Sequence, residues 1–131
     1  MPLYGNELDR TVRPYEAGLG RVVRLDKPGD FVGRAALEAF AAQPLTRTLV
    51  GLELRERGVP RHGYPVFAPA TASAPTGVVT SGTISPTLGR AIAMAYVPPD
   101  AAALGTMQTV SIRDGRVAAE VVALPFYARP R

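Results

Sequence analysis

With 131 residues the chain is long enough to bury a single core, and having no cysteine it excludes disulfides, thiolate metal sites and a cysteine nucleophile together. The net charge of +4 comes from 15 basic residues scattered singly, in pairs such as Arg55 and Arg57, or at the C-terminus. With no basic stripe interleaved with aromatics and no run approaching the roughly 18 apolar residues that span a bilayer, neither nucleic acid nor membrane is expected as a partner.

The first 45 residues read differently from the rest. LGRVVRL is short and β-rich, a predicted strand. GDFVGRAALEAFAAQP reads as a helix: Asp30 can cap its start, Val32, Ala36 and Phe40 recur at spacing four, and Pro44 lies beyond its end. One strand and one helix are too little for an independent core.

From residue 46 onward the pattern is β. In TLVGLEL, Val50, Leu52 and Leu54 share one face while Glu53 points to the other. GVVTSGTIS follows a polar, Pro-containing loop, and AIAMAYV alternates Ala91, Ala93 and Ala95 with the larger Ile92, Met94 and Tyr96. MQTVSIRDGRVAAEVVALPF predicts a long hairpin with a type I′ turn at Asp114 and Gly115. Thirteen glycines and thirteen prolines punctuate these segments into about five or six short strands, the pattern of a small antiparallel barrel or a double-sheet jelly roll.

Chemistry-bearing residues are few. His62 is the only histidine and has no evident orienting partner, so it reads as a turn residue beside Gly63. Ser81 lacks the flanks of a nucleophile elbow, and Thr80, Ser81 and Thr83 read as strand and turn residues satisfying backbone groups. GLGR and LGR do not match a phosphate loop. Glu7, Asp9, Glu16, Asp26 and Asp30 crowd the first part without metal-ligand spacing, so no metal is expected and a solvated face plus a helix cap explains most of them. Tyr4 and Tyr15 with Arg10, Arg13 and Glu7 form a cluster able to meet a flat, anionic ligand. The tail FYARPR offers Arg129 and Arg131 as a carboxylate clamp or a solubilising end.

Four strings reach further. MPLYGNELD, TVRPYEAGLGRVVRLDKPGDFVGRAAL, VVTSGTISPTLGRAIAMAYV and LPFY resemble, in that order and approximate spacing, the closing part of the glycine cleavage system T-protein, a folate-dependent aminomethyltransferase. Pro28 is an insertion relative to that pattern, and Arg21 stands where some members carry Trp. The resemblance implies three domains around a channel for tetrahydrofolate, with a β-barrel of jelly-roll type last. On that reading residues 1–45 are the end of the central folate-binding α/β domain and residues 46–131 are the barrel.

The implied reaction takes an aminomethyl group from the lipoyl arm of the H-protein, releases ammonia and leaves methylene-tetrahydrofolate. The family's assisting carboxylate, and the folate-binding Glu and Arg, belong upstream of Met1. The resemblance therefore implies no catalytic residue in this chain, inactivity alone, and two partners: the lipoylated H-protein and an N-terminal part. Folate contacts are implied at Arg131, or Arg129 if the register differs, and at Tyr4. The implied location is the cytoplasm, or the mitochondrial matrix in a eukaryote. The alternatives are a free-standing folate-binding or assembly module, or the last domain of a related sarcosine or dimethylglycine dehydrogenase. Without partners, Val22, Val23, Leu25, Phe31 and Phe40 are expected to be exposed, and residues 1–45 to be cut by proteases before the rest.

Overall fold

Alternation of side chains along short strands has one stable outcome when every strand has a dry face: the sheet closes on itself. The computed structural model describes residues 1–129. Six strands, β1 (Thr48–Leu54), β2 (Pro65–Phe67), β3 (Gly77–Ser85), β4 (Arg90–Val97), β5 (Met107–Ile112) and β6 (Gly115–Val122), form a closed antiparallel barrel in the order β1-β4-β3-β2-β5-β6. β1 closes it by pairing with β4 on one side and β6 on the other. The consecutive neighbours β2, β3 and β4, with β1 returning beside β4, make a Greek key.

Alternation sets what is inside. Val50, Leu52 and Leu54 of β1 enter the core with Val66, Val79, Val110 and Val121. β4 contributes Ala93, Ala95 and Val97 inside, small enough to let the opposing valines meet across the barrel. Gln108 is the fully buried polar side chain of this interior, and its Nε2 donates to the Ala101 carbonyl at 2.7 Å. It ties the Pro99–Ala101 turn over one end of the barrel.

The barrel strands thus follow the sequence pattern, while three local expectations are corrected. LGRVVRL is no strand: Gly20–Val22 forms a single 3-10 turn. A strand needs a ladder partner, and none of the described strands pairs with this segment. The helix α1 covers Arg34–Ala41 and starts after Gly33, whose φ of 91° suits glycine best, with no side-chain cap. Asp30 instead accepts the neighbouring Phe31 amide at 2.8 Å, and Val32, before the helix, is fully exposed. The β5–β6 turn is centred one residue early: Ile112 pairs with Gly115, so Arg113 and Asp114 are the central residues. Of these Arg113 alone has positive φ, at 54°, which excludes type I′ because that turn needs it at both positions. The short β2 has no legible sequence signal, since Pro65 and only three residues give little periodicity.

Residues 1–46 run over the outside. Val22 and Phe31 are exposed, while Val23, Leu25 and Phe40 are partly covered. α1 has no buried residue. Arg34 organises the loop before it, donating to the carbonyls of Leu25, Lys27 (3.1 Å) and Gly29 (2.9 Å).

Candidate functional site

The outer face of β1, β4 and β3 is where the two termini meet the barrel. Gly51, Met94 and Ser81 stand in one row across these strands, pointing away from the core. A bulge between Val79 and Ser81 inserts Thr80 as an extra residue, a device that re-aims side chains where a ladder is interrupted.

Thr80 is held from three directions. Its hydroxyl donates to Glu7 Oε1 at 2.8 Å, with the Met94 carbonyl 3.0 Å away. Its carbonyl accepts from His62 Nδ1 at 2.6 Å, which puts a proton on that nitrogen. His62 is a turn residue as expected, and its orienting partner is a backbone carbonyl.

The N-terminal stretch MPLYGNELD folds as a compact turn. The Leu3 carbonyl accepts from the amides of Asn6, Glu7 and Leu8, and Gly5, with φ of 94°, allows the reversal. Glu7 is 1% exposed. Its Oε2 accepts the Leu3 amide at 2.9 Å and its carbonyl accepts the Tyr96 hydroxyl at 2.8 Å. Burial pushes its carboxyl up, but hydrogen bonds from Ser81, the Leu3 amide and Thr80 together outweigh this and hold it below its ordinary value of 4.5. Burial also pushes the Tyr96 phenol up to about 12.

Two acids expected on a solvated face are therefore buried, because each has donors waiting. Glu16, 5% exposed, accepts the Arg13 amide at 2.9 Å and Arg47 Nε at 3.2 Å. Arg47 also lies over the Tyr96 ring, 5.0 Å from its centre. The predicted aromatic and basic cluster is split by these demands. Tyr15 donates to the Leu37 carbonyl and Arg13 stacks on Phe40, both toward α1, while Glu7 turns to the barrel. Tyr4 remains 74% exposed at the head of the turn.

The tail crosses the same face. Leu124 and Phe126 lie over Gly51, where an added Cβ would come within 2.8 Å of Leu124 and 3.0 Å of Phe126. Phe126 then walls a cavity of about 210 Å³ with Ser81, Thr83, Ile92 and Met94. Tyr127 and Arg129 follow, both exposed. Arg131 lies outside the described residues. Glu7 is bonded to Thr80, and Phe126 lines a cavity with the neighbouring Ser81, so the turn that carries Tyr4 and the tail that carries Arg129 both reach this patch of barrel. Among the described residues, no group of acids and histidine is placed to hold a metal, and no helix is long and apolar enough to cross a membrane.

A family model described as the glycine cleavage T-protein C-terminal barrel domain matches residues 47–128. An aminomethyltransferase of Saccharopolyspora erythraea is 59% identical over 129 residues, covering 98% of this chain and 35% of the relative. One from Thermosynechococcus vestitus is 53% identical over 131 residues, with 100% and 35% covered. The crystal structure of glycine cleavage system aminomethyltransferase T from Bartonella henselae superposes with a TM-score of 0.88 at 30% identity, over 97% of this chain and 35% of that one. The chain spans about a third of the length of the relatives it matches.

Proposed function

The chain belongs to the family of the glycine cleavage T-protein C-terminal barrel domain, and from that premise we propose that it serves as the closing third of a tetrahydrofolate-dependent aminomethyltransferase. The observation that carries the reading is the extent of the match. Relatives named aminomethyltransferase cover 98% to 100% of the chain, and so include the N-terminal turn that Glu7 fastens to the barrel as well as the barrel itself.

The proposed reaction transfers an aminomethyl group from the lipoyl arm of the H-protein to tetrahydrofolate, releasing ammonia. Residues 1–45 are taken as the end of the folate-binding α/β domain and residues 46–131 as the barrel, in a cytoplasmic enzyme. This chain's part is to hold folate. Tyr4 offers an exposed aromatic face to the flat pterin, and Arg129 or Arg131 a guanidinium to the glutamyl carboxylates. The barrel patch supports this chemistry, since Met94 and Phe126 give apolar walls and Ser81 and Thr83 give hydroxyls.

Size argues for a shared site. A cavity of about 210 Å³ falls below the roughly 300–1,000 Å³ of ligand pockets in general, so this chain provides one wall. The groups that do the chemistry are assigned to the other two thirds, and none of the residues here is assigned a catalytic role. Calorimetric titration with tetrahydrofolate tests the assignment. The chain alone is expected to bind weakly or without measurable heat and to release no ammonia from aminomethyl-loaded H-protein. Submicromolar binding or turnover by the chain alone would overturn it.

A further inference from the structure

Glu7 is a costly way to fasten a turn. A carboxylate that is 1% exposed has lost its water, and none of the ion pairs among the described residues includes it. An apolar side chain would glue the same turn down at lower cost, but without direction. The carboxylate has direction: one oxygen takes the amide of Leu3, the residue before Tyr4, and the other takes the hydroxyl of Thr80, 73 positions along the chain.

The far end of that link is itself fixed. Thr80 is the bulge residue, gripped through its carbonyl by His62 and lying beside the Met94 carbonyl. Because the bulge inserts Thr80 after the inward Val79, Thr80 and Ser81 both face the outer side, where strict alternation would turn Ser81 inward. Tyr96 supplies a third point by donating to the Glu7 carbonyl. Rotation of the turn about any one of these bonds breaks another.

We propose that Glu7 is a positioning residue: through the Thr80 bulge it sets where Tyr4 stands relative to the Ser81–Phe126 patch, and so shapes the folate-facing wall. The part concerning folate rests on the function proposed above. The placement of Tyr4 does not.

The test separates the two. The chain contains no tryptophan, so Tyr4→Trp installs a single indole reporter at an exposed position. In that background Thr80→Val keeps the side-chain shape and removes the hydroxyl, and Thr80→Ser restores it. The fluorescence anisotropy of the indole is expected to fall in the Thr80→Val chain and to return in the Thr80→Ser chain, with far-UV dichroism unchanged in both. Equal anisotropy in all three would overturn the placement, and the same measurement on Glu7→Gln supplies an independent variant.

The folate arm uses the two-part enzyme formed with the upstream two thirds of the Saccharopolyspora relative. Glu7→Gln and Tyr4→Ala are each expected to raise KM for tetrahydrofolate several-fold with kcat within about twofold. The double variant should be no worse than Tyr4→Ala alone, because one residue acts through the other. Full additivity, or an unchanged KM alongside a loosened indole reporter, would overturn the role in folate binding while leaving the placement standing.

Discussion

The inside of the barrel and the segment wrapped around it solve the same problem by opposite means. The interior is closed by valines, leucines and alanines that need only volume and alternation. Residues 1–46 bury little apolar surface, and α1 buries no residue at all. Contact with the barrel runs through named polar pairs: Glu7 with Thr80, Tyr96 with the Glu7 carbonyl, and the Leu49 amide with the Glu16 carbonyl. Apolar packing is tolerant of small shifts and gives stability, whereas such bonds are lost within an ångström and give orientation. The candidate site lies on the polar side of this division.

The contrast breaks most visibly at its apolar end. Leu52→Ala, at a side chain with 0% exposure, is expected to cost about 2–5 kcal/mol of global stability, read as a lowered denaturant midpoint with an unchanged slope. Gly77→Ala is next. A Cβ there would stand 2.4 Å from the Tyr96 carbonyl oxygen, a backbone atom that moves only with its strand, so a loss of about 1–3 kcal/mol is expected in the same experiment.

Thr80→Val sharpens the comparison from the polar end. It leaves a buried carboxylate short of one donor, worth about 1–3 kcal/mol. The loss should appear as faster amide exchange in residues 3–12, with exchange in the β1 and β4 cores unchanged. Acid gives the same separation. The Glu7 carboxyl is held below its ordinary 4.5, so its contribution is full above that pH and is lost as pH falls through the lower folded value. In the Tyr4→Trp chain the indole should therefore loosen below pH 4.5 before the barrel unfolds. The smallest effect is at the surface: Arg24→Ala removes a pair whose side chains are 67% and 69% exposed, and no resolvable change in midpoint is expected.

Legibility in the sequence follows the same line. β1 is found at its full length, Thr48–Leu54, because Val50, Leu52 and Leu54 enter the apolar core at a period of two. The alanines of β4 are read correctly for the same reason. What fails are features decided by a partner or by one dihedral angle. LGRVVRL has strand composition but nothing to pair with, the helix start depends on the left-handed Gly33, and the hairpin turn moves when Arg113 takes the positive φ.

The site divides likewise. Tyr4 and the tail are indicated by strings shared with a family, and in the fold the turn that holds Tyr4 is bonded to Thr80 while Phe126 of the tail lines the cavity beside Ser81. Glu7 and Glu16 look like solvated acids because their donors sit far along the chain. The one signal for Glu7 is that MPLYGNELD and VVTSGTISPTLGRAIAMAYV are both strings shared with the family, since Glu7 and Thr80 are the residues that join these two.

The most direct measurement mixes this chain with a separately made polypeptide comprising the upstream two thirds of the Saccharopolyspora erythraea relative, which is 59% identical where the two overlap. Aminomethyl-loaded H-protein and tetrahydrofolate are added and released ammonia is followed. Neither polypeptide alone should turn over, and the mixture should, saturably in this chain. A stable complex of the two that releases no ammonia, or full activity from the upstream part alone, would contradict a role for this chain as the closing third of the enzyme.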